Sequence, residues 1–455
     1  MRNKINIQPS FPLWSRVPKE VREYRNRYER ISTILDDNHL ILEALHADLS
    51  APCSAVGRQS TYSSEQFLRV IIVKTIEGCS LREVVIRISE SDFLRNFTRI
   101  YSDDMMGFSE LDMAIKCITP ATWERINGIF LRYARKKGKI TGKCLRVDST
   151  VCETNIHYPT DASLLWDSFR VAARLMRQCS EADPDLSLGN RFHDKKVKRL
   201  YTFVSTHGGK KKSTRAVRRH MRQLIEKGEW ICAAARRFIK HADKNGTLSI
   251  KVFGLIGALK EKIPLMEQVA SCARRVYKGE TVPASDRIFS IFEPHTELLK
   301  RGKVRKPVEF GHMVAIGQTA EKFISFYKVE EVSSHDIQLG DEALRKHKRL
   351  FDAYPDGFAA DKNFYGGPVH REKWEHKVGT YAVGKKGRRD EMETEREHGK
   401  VFRLLQRFRA GCEGSISVLK RVFGLYRCLF RGFKSYASSI GNIVFCHNLV
   451  VYSRL

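Results

Sequence analysis

None of the 455 residues lies in an apolar run near the 18 or more that a membrane-crossing helix needs. The most apolar late stretch, 443–452, is short and carries His447 and Asn448. Residues 1–14 hold no apolar segment of the kind a secretory signal requires. The 11 cysteines include no CxxC pair, and the closest two, Cys144 and Cys152, are eight apart. That spacing excludes a zinc site of the usual kind and a disulfide framework, and it predicts free, mostly buried thiols in a reducing cytoplasm. Low-complexity tracts and internal repeats are missing. His157, His295, His312 and His370 fall in no ligand-like spacing and read as structural or surface residues.

Acidic residues are also scarce relative to basic ones. Lys and Arg number 81 against 52 Asp and Glu, a formal net charge of +29. With 42% hydrophobic and 29% charged residues, the composition is that of a globular protein. Such a basic protein meets a polyanion, either nucleic acid or an anionic membrane surface. The charge is unevenly spread. Residues 1–60 carry +2 and 61–140 carry +3, whereas 160–290 carry +14, from 27 basic and 13 acidic side chains.

The first 140 residues read as helical. Phe67, Val70, Ile71 and Ile76 mark an apolar face of helical period. Gly78-Cys79 breaks it, and Ser80 with Glu83 forms a capping box opening a helix over 81–89. This outline fits a DNA-docking helix-turn-helix, and equally any αα-hairpin. Thr119-Pro120 opens a further helix to about Lys137. After Gly142 comes a short β-type run, 143–147, ending at Asp148. Residues from about 162 to 280 look helical again. A hairpin is predicted from 309–316 and 323–329, with Gly317 opening the turn. There follow a helix (337–354), a strand (358–360) ending at Asp361, a helix (369–376), a strand (380–383) and a long helix (398–423). The fold class is α/β: a mixed sheet with a helical N-terminal domain and a large helical insertion after the first strand.

Two predicted strand ends carry aspartates, in Arg146-Val147-Asp148-Ser149-Thr150 and Ala359-Ala360-Asp361-Lys362-Asn363-Phe364. Chemistry in α/β folds sits at the carboxyl ends of strands, although Asp is also an ordinary strand-ending residue. The last long helix has an apolar spine of Val401, Leu404, Leu405, Phe408, Cys412, Ile416, Leu419 and Phe423. Beside that spine, Gln406, Arg409, Glu413 and Lys420 fall on one stripe. A solvated face with an i,i+4 Arg–Glu pair would give the same pattern. Three converging carboxylates would repel, and divalent cations relieve that conflict. Hard oxygen donors suit Mg²⁺ or Mn²⁺, and two such ions serve phosphodiester displacement.

On these residues the chain resembles the DDE transposases of bacterial insertion sequences, over most of its length. Gly78-Cys79-Ser80-Leu81-Arg82-Glu83 looks like part of that family's helical N-terminal domain. The stretches around Asp148 and Asp361 look like its first-Asp and second-Asp motifs. Gly302-Lys303 followed by Pro307-Val308-Glu309-Phe310-Gly311 looks like the start of the next strand. Arg409-x3-Glu413-x6-Lys420 resembles the Tyr-x2-Arg-x3-Glu-x6-Lys signature, with Gln406 in place of its Tyr. The aspartates are 213 residues apart, and only 52 separate Asp361 from Glu413, so the insertion follows the first Asp.

The resemblance implies a ribonuclease-H-like catalytic domain (141–160 and 291–455), an N-terminal DNA-binding or dimerisation domain (1–140) and a basic insertion (161–290). It implies that Asp148, Asp361 and Glu413 are catalytic and hold two Mg²⁺ or Mn²⁺ ions, and that Arg409 and Lys420 contact DNA phosphates. The activity implied is cutting at terminal inverted repeats and joining of 3′-hydroxyl ends to target DNA, by a homodimer in the active complex. The enzyme would work in the bacterial cytoplasm on the nucleoid, with no membrane partner. The Gln406 replacement leaves open whether a hairpin intermediate forms. Two rivals remain: a catalytically silent, transposase-derived DNA-binding protein, and a ribonuclease-H-like nuclease without strand transfer.

Residues 195–222 hold 11 cations and no acid: Lys195, Lys196, Lys198, Arg199, Lys210, Lys211, Lys212, Arg215, Arg218, Arg219 and Arg222. Such a segment binds phosphates with strong salt dependence. Tyr201 and Phe203 within it are either core residues or stacking platforms for an unpaired base. Gly208-Gly209 predicts a helix hairpin with a basic tip.

Overall fold

The structure, a computed structural model, describes residues 18–51, 60–102, 104–187, 189, 191–208, 214–244, 248–300, 307–332 and 335–455. Two compact units are present, Met1–Glu153 with His312–Leu455, and Thr154–Gly311. The N-terminal helices share a body with the C-terminal part of the chain.

The first unit opens with α1 (Lys19–Asp36), α2 (His39–Ser50), α3 (Ser64–Ile76), α4 (Leu81–Ser89), α5 (Asp92–Thr98), α6 (Phe108–Cys117) and α7 (Pro120–Lys136). Local chemistry sets these ends. Ser63 with Gln66 and Ser80 with Glu83 form reciprocal capping boxes, and Thr119 caps α7 just before its first-turn Pro120. Gly78, at φ +64°, makes the turn between α3 and α4. One face of α3 was expected to be buried; instead all its residues but Lys74 are buried, so it is the central helix of its layer. α4 buries Val84 and Ile88 and exposes Arg82, Ile86 and Arg87.

Among the described residues, seven strands form one mixed sheet: β1 (Cys144–Thr154), β2 (Glu297–Lys300), β3 (Val308–Thr319), β4 (Ile324–Val329), β5 (Gly357–Ala360), β6 (Thr380–Val383) and β7 (Arg427–Cys428). The order is β2-β3-β1-β5-β6, with β4 paired to β3 and β7 to β1. β1, β5 and β6 run parallel, whereas β2–β3 and β3–β4 are antiparallel. Gly317 does not open the hairpin turn as expected. It stays in β3 at a register shift, where its lack of a Cβ lets Phe326 on β4 pack closely, and the chain reverses near Lys322 at φ +71°.

The second unit contains α8 (Asp161–Ala182), α9 (Asp194–His207), α10 (Thr214–Ala242) and α11 (Ile250–Tyr277) around its own apolar core. The helical expectation for this segment holds. Tyr201 stacks on Trp166, their centroids 6.2 Å apart, and packs against that core. Phe203 lies between His207 and His220, at 4.3 and 4.1 Å.

In the first unit, α12 (Asp336–Phe351) and α13 (Pro368–Glu375) share one apolar cluster with Leu145, Val147, Phe358 and Ala360 of the sheet. α14 (Glu391–His398) leads into α15 (Lys400–Arg421), whose Phe402 and Leu405 pack on Ala359 and Ala382 of the opposite face. α16 (Phe433–Tyr452) joins the N-terminal helices in the largest core. No helix among the described residues is long and apolar enough to cross a membrane. The ten described cysteines are all free, eight of them buried.

Burial pushes the imidazoles of His347 and His447 down to about 4. Unfolded histidine titrates near 6.5, so the unfolded chain binds more protons once pH drops below that value. The stability these neutral histidines contribute is complete above about pH 6.5 and is lost as pH falls toward 4. We expect a loss of about 2 kcal/mol per histidine between pH 7 and 5. Denaturant melts across that range check it; a His347→Gln, His447→Gln protein should show a flatter profile.

Candidate active site

The parallel ladder between β1 and β5 runs from Cys144 opposite Gly357 to Val147 opposite Ala360. Asp148 and Asp361 are the next residues on these adjacent strands, each one position beyond the last ladder pair. The expectation that the first strand ends at Asp148 is corrected. β1 continues to Thr154, because β7 and β3 supply partners after β5 has stopped. Asp148 therefore sits mid-strand, held by a continuous backbone. β5 does end before Asp361, which starts a short 3-10 turn over Lys362–Phe364.

Alternation along β1 sends Leu145 and Val147 to the α12 side and Arg146 and Asp148 to the α15 side. Arg146 is only 5% exposed. Its guanidinium donates to Gln318 Oε1 on β3 and, at 2.6 Å, to the Phe408 carbonyl oxygen on α15. It also faces the Phe408 ring at 4.7 Å. A charge buried this deeply is tolerated because these acceptors surround it. Gln406 forms a second tether, its Nε2 donating to the carbonyls of Ala360, at 3.3 Å, and Ala382, at 2.5 Å. The residue in the signature's Tyr position thus clamps α15 across the ends of β5 and β6.

So fastened, α15 lays Arg409 against the aspartate end of β1. Arg409 Nη1 is 3.5 Å from Asp148 Oδ2, and Nη2 is 3.6 Å from Glu413 Oε1. The Ser149 amide donates to Asp148 Oδ1 at 2.8 Å. Asp148 is 16% exposed and Glu413 69%. Asp361, half-buried, has no side-chain hydrogen bond or ion pair among the described residues. Behind the site, burial and the Asp148 carboxylate push the Cys412 thiol up to about 12, so it stays protonated. Lys420 lies two turns beyond Glu413, in the electrostatic neighbourhood of Cys152 on β1. One guanidinium thus bridges two of the three expected carboxylates, and the third stands on the neighbouring strand. Among the described residues, no group of three or more His, Cys, Asp or Glu is close enough to hold a metal ion.

The expected spine of α15 needs correcting at its start. Val401 and Leu404 are 55% and 53% exposed, while Phe402, Leu405, Cys412 and Leu419 are buried. Arg146 and Gln318 were not among the expected site residues. The available signal was an arginine two residues before Asp148, which strand alternation places on the same face.

In the second unit, Arg215, Arg218, Arg219 and Arg222 are exposed on the first turns of α10. Arg222 pairs with Glu226 at 3.5 Å, and Arg218 lies over the Tyr277 ring. Lys195, Lys198, Arg199, Thr202, Phe203 and His207 line a groove of about 650 Å³ along α9. Lys210, Lys211 and Lys212 lie outside the described residues. Compared with protein-family models, curated proteins and solved structures, the chain matches none.

Proposed function

We propose that the chain is a DDE-type transposase with a ribonuclease-H-like core, cutting DNA at the ends of an insertion sequence and joining the 3′-hydroxyl ends to target DNA. The observation that carries this reading is the placement of Asp148 and Asp361 one residue beyond the last pair of the parallel β1–β5 ladder, with the helix bearing Glu413 clamped across them. The path β4-β3-β1-β5-β6, an antiparallel hairpin followed by parallel strands, supports the fold assignment.

The donors offered are hard oxygens, as Mg²⁺ or Mn²⁺ requires. The Asp361 carboxylate, without a side-chain partner among the described residues, and the exposed, weakly paired Glu413 are free to turn toward a shared cation. Asp148, Asp361 and Glu413 would hold it. When bound, it would lower the pKa of a water or hydroxyl and neutralise charge on the phosphate. Ser149 and Arg409 orient the Asp148 carboxylate, and Arg409 and Lys420 supply fixed positive charge beside a phosphate. The basic faces of α9 and α10 bind DNA elsewhere along its length, and two copies of the chain hold the paired element ends.

The test uses DNA carrying the sequences that flank the gene, incubated with the protein and Mg²⁺ or Mn²⁺. The expected products are nicks at the ends and their joining to a supercoiled plasmid, both stopped by a chelator. Binding without nicking would leave a silent DNA-binding protein, and nicking without joining a nuclease.

Arg409→Ala should reduce nicking more than tenfold, because a preorganised charge is lost from the site. Its partly exposed ion pairs are worth at most about 1 kcal/mol, so the melting temperature should barely move. A variant that melts early yet nicks at the parent rate would reassign Arg409 to a structural pair.

A further inference from the structure

β6 ends at Val383, opposite Ala360 of β5, so Gly384 leaves the sheet alongside Asp361. The sequence that follows is Gly384-Lys385-Lys386-Gly387-Arg388-Arg389, four cations in six residues. Its position is fixed by one carboxylate. Glu397 on α14 accepts from the Lys385 amide at 2.8 Å through Oε1, and its Oε2 is 3.0 Å from Arg389 Nε. Lys385 Nζ is 2.8 Å from Asp390. Gly387, at φ +94°, makes the reversal between these anchors. Gly384 lets the loop approach closely: a Cβ there would stand 3.4 Å from both Lys362 Cγ and Glu397 Oε1.

The pairing is selective. Lys385 and Arg389 are neutralised by Asp390 and Glu397. The side chains of Lys386 and Arg388 are exposed, with no hydrogen bond or ion pair among the described residues, and so is that of Lys362, next to Asp361. Three cations with no side-chain partner among the described residues therefore stand exposed at the carboxyl ends of β5 and β6, open to an incoming polyanion.

We infer that the 384–389 loop is a preformed grip for the sugar–phosphate backbone of duplex DNA beside the scissile phosphate, with Lys362, Lys386 and Arg388 as its cations. The inference rests on reading Asp148, Asp361 and Glu413 as a DNA-processing centre, and it adds a binding element beyond the α15 signature. Pinning both ends of the loop on Glu397 lowers the ordering cost that a free lysine-rich loop would incur on binding. Phosphate contacts of this kind position DNA without reading its sequence.

The experiment measures affinity for a duplex against salt concentration, in the full chain without added metal. Lys386→Gln with Arg388→Gln should flatten the slope of log affinity against log salt by up to about 1.8, since each phosphate contact contributes about 0.9. A control, Lys348→Gln with Arg349→Gln, removes two exposed cations from α12 on the other side of the sheet and should leave the slope unchanged. An unchanged slope in the loop variant, or an equal change in the control, overturns the inference. Metal-dependent nicking by the parent protein is scored separately. A parent that binds DNA but never nicks defeats the catalytic reading, while the slope still decides whether the loop grips the backbone.

Discussion

Asp148→Asn should lower metal-dependent nicking by at least ~10³-fold while leaving DNA affinity the same or slightly higher. The rate effect follows from losing a charged oxygen donor that would hold the catalytic cation, worth several kcal/mol at the transition state. The affinity effect has the opposite sign, because a carboxylate repels the phosphate it works on and removing it relaxes that repulsion in metal-free buffer. Folding should change little. Asn keeps an oxygen for the Ser149 amide, and the Arg409 contact at 3.5 Å is long for an ion pair. Asp361→Asn should behave alike with even less effect on stability, since its side chain has no partner to lose among the described residues. Single-turnover nicking and filter binding on the same preparations read both quantities. Near-parental nicking by purified Asp148→Asn protein would falsify the assignment of Asp148 to the metal.

The elements legible in the sequence were those with local causes. The capping boxes at Ser80 and the Thr119-Pro120 start are short-range hydrogen-bond chemistry, and they sit where the side chains predicted. β5 (Gly-Phe-Ala-Ala) and β6 (Thr-Tyr-Ala-Val) are short, largely apolar runs bounded by turns, and they were legible for the same reason. α16 was not. Its buried residues, from Tyr436 to Val450, surround the helix, so no amphipathic period marks it. Its Asn448 is spent on the backbone of Ile324 in β4, a partner 124 residues away. β1 beyond Asp148 was hidden because its partners, β3 and β7, come much later in the chain. In the site, the acids and Arg409 were legible as chemistry. The tethers that set their geometry were not, since Arg146 to Phe408 spans 262 residues and Gln406 looked only like a departure from a motif. The 384–389 loop was not legible because its paired and exposed cations look alike in sequence until Glu397 is placed.

Two glycines on α15 give the tethering argument a sharp sign. Gly411 and Gly414 are three residues apart in the same helix, where Ala would ordinarily be favoured by about 1 kcal/mol. A Cβ at Gly414 meets no atom within 4 Å, so Gly414→Ala should stabilise by about that amount and leave nicking unchanged. A Cβ at Gly411 falls well inside contact with Arg146 Nη1. The end of an arginine can usually move away at little cost, but here the guanidinium is buried and bound to Gln318 and the Phe408 carbonyl. Displacing it leaves a buried charge with broken hydrogen bonds, at about 2–4 kcal/mol, which outweighs the helix gain. The alternative is for α15 to move outward, carrying Arg409 and Glu413 from Asp148. Gly411→Ala should therefore destabilise the protein by about 1–3 kcal/mol net and cut nicking at least tenfold even at temperatures where it remains folded. Denaturant melts and nicking rates of the two variants provide the comparison. Equal, stabilising effects at both positions would mean that Arg146 is free to swing, and that the clamp holding the glutamate helix over the aspartates lies elsewhere.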